Sequence, residues 1–203
     1  MEKELIDIKS TFEGSYEVLN NLKHKITETK FSKGGDVFFR GYYTPFLSVK
    51  YGLFNNSRGR ITKNEKNYTF KYGFNNNHLI YVMRNLESII TEEFIFEYKG
   101  DEIGITFNQK DKEISDITLC KYCDGKLISV CYAHIMKWMN SFSFSFTLEE
   151  YKYKEDVLMS MEEITGDTKY PTRFINRYNY NDDCFKLVEQ KITKYNGMGY
   201  ISN

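Results

Sequence analysis

Residues 93–134 read EFIFEYKGDEIGITFNQKDKEISDITLCKYCDGKLISVCYAH, and this stretch decides the fold. Phe94, Phe96 and Tyr98 alternate with Ile95 and Glu97, the two-residue period that sends successive side chains to opposite faces of a strand. Four such runs follow one another, at 93–99, 102–107, 114–122 and 126–134. The breaks between them are short and polar: Lys99-Gly100-Asp101, residues 108–112, and Cys123-Asp124-Gly125. Asp-Gly between apolar runs is a strong hairpin signal, because both central positions of the favoured tight turn need positive φ. The segments IFEYKGDEIGI and LCKYCDGKLIS align Tyr98 with Tyr122 and Ile103 with Leu127, a weak repeat too short for a solenoid. Connections this short join antiparallel neighbours, so the stretch predicts a β-meander.

Toward the N-terminus, aromatic β-favouring runs recur at 37–39, 46–49, 68–70 and 79–82, with turn chemistry at 55–59 and at Asn75-Asn76-Asn77. Earlier still, Leu19, Leu22 and Ile26 fall at helical spacing behind Ser15, a candidate N-cap, and predict a helix over 15–30 that residues 32–36 break. Toward the C-terminus, the Ser/Phe run 141–146 precedes Thr147-Leu148-Glu149-Glu150, which has the form of a capping box. Leu148, Tyr151, Leu158, Met161 and Ile164 then predict the inner face of a helix ended by Gly166. A last helix is expected after Asp182, with Phe185, Val188 and Ile192 inward and Gly197 at its C-terminal end. The expectation is therefore one α+β domain over residues 1–203: a helical part at 1–35, an antiparallel meander sheet at 36–146, and a helical part at 147–203 whose two helices pack on the sheet.

Composition narrows the function classes. At 203 residues the chain is long enough to bury a core without staples. Its 41% hydrophobic and 17% aromatic content argues against disorder. Lysines plus arginines and aspartates plus glutamates are 28 each, which argues against a globally basic nucleic-acid binder. Only Pro45 and Pro171 interrupt the chain. The start, MEKELIDIKS, alternates charged with apolar residues and has no signal-peptide core, and no segment reaches the ~20 apolar residues of a membrane helix. Cys120, Cys123, Cys131 and Cys184 are too few for a secreted disulfide scaffold. A soluble cytoplasmic protein with reduced thiols is the expectation.

Charge is segregated along the chain. Residues 40–71 carry Arg40, Lys50, Arg58, Arg60, Lys63, Lys66 and Lys71 against Glu65 alone, and aromatic residues are interleaved with them. Arg58, Arg60, Lys63 and Lys66 are the candidate partner-binding residues, on a loop suited to phosphates or to single-stranded nucleic acid. A solvated hairpin loop is the plainer interpretation of the same charges. Acids concentrate at 87–116 and again at 149–167. A neutral chain with separated signs is dipolar, which favours steering toward a charged protein.

The sharpest chemical motif is Cys120-x2-Cys123, seven residues, then Cys131-x2-His134. Two thiolates on a tight turn suit zinc. However, 126–130 patterns as a strand, which would carry Cys131 ~23 Å from the first pair and point Cys131 and His134 to opposite faces. The alternatives are a zinc site or a hairpin with buried, inert thiols; the expected cofactor is none. Glu97-Tyr98-Lys99 matches half of a metal-dependent nuclease motif, with Asp36 as its conceivable partner. No P-loop, dinucleotide-binding, nucleophile-elbow or HExxH pattern is present. His24, His78 and His134 fall on different elements, and Trp138 suits a core or an interface. These readings point away from an enzyme, although active sites also assemble from scattered positions. They favour a protein-binding protein of the inhibitor or immunity type, with nucleic-acid binding through residues 58–72 as the alternative.

Overall fold

The structure, a computed structural model, describes residues 1–35, 37, 59–86, 89–139, 141–170, 172–181, 184–195 and 200–202. It divides into two compact units, Ile6–Ser115 and Met1–Leu5 with Asp116–Asn203.

Helix α1 (Glu2–Phe12) enters the Ile6–Ser115 unit at Ile6 and leads to the short helix α2 (Tyr16–Asn20) and a 3-10 turn (Asn21–Lys25). Strands β1 (Glu28–Lys33), β2 (Arg60–Thr62), β3 (Phe70–Asn75), β4 (His78–Leu86), β5 (Ile89–Tyr98) and β6 (Asp101–Asn108) follow. Their order is β6-β5-β4-β3-β1-β2, all antiparallel, so β1 is inserted between β2 and β3. The helices cover one face: Tyr16 meets Phe94 and Phe107 edge-on at 6.0 and 5.4 Å, and Phe12 meets Phe96 and Tyr98 at 5.3 and 5.2 Å. On the other face Tyr72, Phe74, Leu79, Val82 and Ile95 form a separate buried cluster.

The expected helix over 15–30 is corrected here. Helical structure ends at Lys25, Ile26 is extended (ψ 120), and Glu28 begins β1. Pairing on both sides of β1 overrides the local helical spacing. Ile26 turns down onto β3, where a Cβ on Gly73 would lie 2.4 Å from its Cδ1. Ser15 precedes α2, but its hydroxyl donates back to the Phe12 carbonyl at 2.7 Å, with no side-chain cap bond into the helix. The charge-alternating start lies in the expected helical part but before the helix placed over 15–30, and it forms a helix of its own, α1, with Leu5 and Ile8 buried.

In the other unit, strands β7 (Ile114–Cys123), β8 (Lys126–Trp138), β9 (Ser141–Lys154), β10 (Val157–Asp167), β11 (Thr172–Asn181), β12 (Cys184–Tyr195) and β13 (Tyr200–Ser202) lie in sequence order as an antiparallel meander. The α+β class with two packed C-terminal helices is thus overturned. Those residues are the β9–β10 and β11–β12 hairpins, and the helices of the described residues are confined to the N-terminal segment. Tyr151 and Tyr153 alternate with Lys152 and Lys154 at the strand period, on the opposite face of the strand from Phe142, Phe144 and Phe146. The helical spacing of Leu158 and Met161 comes from a bulge: the register shifts between Leu158 and Ser160, so residues three apart share one face. A second shift opposite Arg177/Tyr178 leaves Val188 unpaired and breaks the alternation of β12 in the same way. Glu155 and Asp156 make the intervening turn with φ 54 and 84, without the Asn or Gly that advertises it.

Gly166, expected as a helix end, is a strand residue opposite Arg173. A Cβ there would lie 2.4 Å from Arg173 Cδ and 3.0 Å from its Nε. Gly166→Ala should therefore cost about 1–3 kcal/mol, seen as a lower urea midpoint at unchanged slope. No helix among the described residues is long and apolar enough to cross a membrane.

Candidate partner-binding surfaces

Of the sequence-predicted binding residues, Arg60, Lys63 and Lys66 are all exposed, and Arg58 lies outside the described residues. The loop after β2 is shaped by Asn64, whose Oδ1 accepts from the Lys66 and Asn67 amides at 2.9 and 3.2 Å. The interleaved aromatics divide. Tyr72 is wholly buried, and its hydroxyl accepts from the Val37 amide at 2.9 Å. Phe70 stacks on Tyr72 at 6.0 Å, with the Arg84 guanidinium 5.9 Å from its centroid. Tyr68 lies against Phe31 at 5.0 Å, both half-buried. Strand pairing adds residues that sequence distance hid. Arg60 stands opposite Lys33, and Phe31 opposite both Thr62 and Lys71. Phe31, Lys33, Arg60 and Lys71 therefore share a face.

The Cys/His motif lies on a hairpin. Cys120 pairs with Val130, Cys131 with Leu119, and His134 with Asp116, around an Asp124-Gly125 turn with φ 50 and 74. Among the described residues no three Cys, His, Asp or Glu side chains are grouped to hold a metal. His134 Nδ1 is instead 2.8 Å from Asp116 Oδ1. Burial, above all, pushes the Cys131 thiol up to about 12, so it carries almost no thiolate at neutral pH. Cys120 and Cys131 are buried and Cys123 is exposed. A maleimide pulse on the native protein, read by peptide mass spectrometry, is expected to label Cys123 and to spare Cys120 and Cys131. Of the half nuclease motif, Glu97 is exposed on β5 and Lys99 Nζ pairs with Asp7 Oδ2 at 2.8 Å, while Asp36 lies outside the described residues.

Two polar clusters are structural. In the Ile6–Ser115 unit, Glu92 is 2% exposed and accepts from the Tyr16 hydroxyl, the Lys23 ammonium and, at 2.6 Å, the Tyr81 hydroxyl. Burial alone would raise its pKa; the bonds from Lys23, Tyr16 and Tyr81 outweigh that and hold it below the ordinary carboxylate value. In the other unit, buried Glu149 and Glu163 face each other across β9 and β10. Tyr151 donates to Glu149 at 2.6 Å, Asn176 Nδ2 to Glu163 at 3.0 Å, and Gln190 Nε2 to Asn176 Oδ1 at 3.0 Å. Burial, then these two carboxylates, pushes the Tyr178 hydroxyl up to about 12. Internal hydrogen bonding of this kind is how a buried polar layer is sustained.

Among the described residues, the most exposed aromatic group lies where β8 and β10 end. Trp138 is 44% exposed, Tyr170 53%, and Met139 projects fully into solvent. Lys169 Nζ sits 3.8 Å from the Trp138 ring centroid and 5.7 Å from that of Tyr170. The loop beneath is fixed. The Thr168 amide donates to the Phe144 carbonyl, and Thr168 Oγ1 accepts from the Phe144 amide, each at 2.9 Å. Asp167 Oδ1 accepts from the Lys169 amide at 2.6 Å, and Arg173 Nη1 donates to the Asp167 and Thr172 carbonyls at 2.7 and 3.0 Å. Trp138 Nε1 donates to Ser143 Oγ at 3.3 Å. Neither Lys169 nor Tyr170 carried a sequence signal, because the loop that brings them to Trp138 fell between the two expected C-terminal helices, just after Gly166. No family model, curated protein or solved structure matches the chain.

Proposed function

We propose that this protein acts by binding and covering another protein, in the manner of an inhibitor or immunity protein, through the tip formed by Trp138, Met139, Lys169 and Tyr170. One observation carries the reading: an exposed tryptophan, held in place by its indole bond and by Lys169 above its ring, beside an exposed tyrosine and methionine. Aromatic residues and methionine are enriched at the centres of protein interfaces, and anchors already fixed lose little entropy on binding. The partner surface is acidic with an apolar centre, since Lys137 and Lys169 are exposed at the tip while Asp167 is turned to a backbone amide. Free thiols at Cys120, Cys123 and Cys131 accord with a reducing compartment such as the cytoplasm.

The test is capture from native-host extract on immobilised wild-type protein and on Trp138→Ala/Tyr170→Ala. The expected result is an acidic protein retained by the first and lost from the second, which then rebinds the wild type after purification. Equal retention by both would contradict the reading.

A further inference from the structure

We infer that the face of β1, β2 and β3 carrying Phe31, Lys33, Arg60 and Lys71 binds single-stranded nucleic acid. This surface lies in the Ile6–Ser115 unit and does not depend on the tip described above. Lys33 and Arg60 occupy directly opposed positions, and Lys71, opposite Phe31, lies diagonal to Lys33. Like charges facing each other across a strand pair destabilise it. Among the described residues no acidic side chain pairs with any of the three, and an anion laid along the face would relieve the repulsion.

The same face supplies a platform for bases. Phe31 lies two residues before Lys33 on β1, opposite Thr62 and Lys71, and Tyr68 is tilted against it at 5.0 Å, both rings half-exposed. Alternating cations and aromatic rings on a sheet surface are how single strands are held: phosphates follow the charges while bases stack on the rings, with little sequence preference. A duplex hides its bases from such rings, and an acidic protein would use the charges but leave the rings without a role. Lys63 and Lys66 lie on the loop after β2 and supply additional positive potential rather than the contact itself.

The experiment is fluorescence anisotropy of the full chain with a labelled oligothymidylate of about 20 nucleotides, over a range of salt, with circular dichroism of each variant to confirm folding. Wild type should bind at low salt. Lys33→Ala/Arg60→Ala/Lys71→Ala should bind at least about tenfold more weakly, and its salt dependence should be shallower by about two logarithmic units per unit. Phe31→Leu, which keeps the apolar volume but removes the ring, should weaken binding by about fivefold or more. Lys63→Ala/Lys66→Ala should change affinity by less than about threefold. Absence of wild-type binding at low salt would overturn the inference. So would an unchanged triple variant, or polyglutamate displacing the oligonucleotide at lower concentration than unlabelled oligothymidylate, the behaviour of a site for acidic protein.

Discussion

Replacing Glu92 with Gln is expected to destabilise the protein by about 3 kcal/mol, the largest loss of any conservative single substitution in the Ile6–Ser115 unit. Glu92 gathers the Tyr16 and Tyr81 hydroxyls and the Lys23 ammonium onto one carboxylate. Tyr16 belongs to α2 and Lys23 to the 3-10 turn, so this carboxylate ties the helical segment to β4 and β5. An amide cannot satisfy three donors with its single oxygen, and its own NH2 group opposes hydroxyls already oriented as donors. Urea denaturation should show a lower midpoint. A change below about 0.5 kcal/mol would mean that the cluster is effectively solvated.

The same site sets a pH dependence whose sign is fixed. Glu92 is held below the ordinary carboxylate value of 4.5 in the folded chain. Its contribution is therefore present above about that pH and is lost as pH falls through the folded value. Tyr16 and Tyr81 are both raised above 10.0, by burial first and then by their bonds to Glu92. Their contribution is present below pH 10 and is lost as pH rises above it. Stability measured against pH should fall at both extremes, and both limbs should be shallower in Glu92→Gln.

At the tip, Trp138→Ala should weaken binding of the purified partner by about 2 kcal/mol or more, roughly thirtyfold, with folding unchanged. The indole is the largest apolar group there and the support on which Lys169 rests. Lys169→Glu should cost at least about tenfold and reverse the salt response, since it sets like charge against an acidic surface. Binding isotherms at low and high salt separate the two effects. Equal affinity for wild type and both variants would exclude the tip from the interface.

The meander was legible where strand period and turn chemistry agreed. Residues 93–134 hold four runs with strand character, Asp124-Gly125 marks its own turn, and all four expected strands are present as β5 to β8, with one register shift between Lys121 and Tyr122. Legibility failed where bulges broke the period. The shift at Leu158/Ser160 gave Leu158 and Met161 a spacing of three, which resembles a helical face, and the Glu155-Asp156 turn lacks glycine. The start of the chain failed in the opposite sense, because charged residues around Leu5 and Ile8 concealed a short amphipathic helix. Site residues were visible only as contiguous charge. Arg60 was named from sequence, but its partners Lys33 and Lys71 come from strands that pair across the fold. Trp138 was singled out, whereas the lysine that rests on it comes from the next hairpin.

Site-specific photocrosslinking in the native host shows directly whether the tip at Trp138 and Met139 meets an acidic protein. A benzophenone amino acid replacing Met139, whose side chain is fully exposed, reports what touches the tip. The same group replacing Val157, exposed at the opposite end of β10, is the control. One dominant adduct is expected from position 139, with an acidic protein, and none of that adduct from position 157. No adduct at 139, or the same adducts from both positions, would contradict the proposed function.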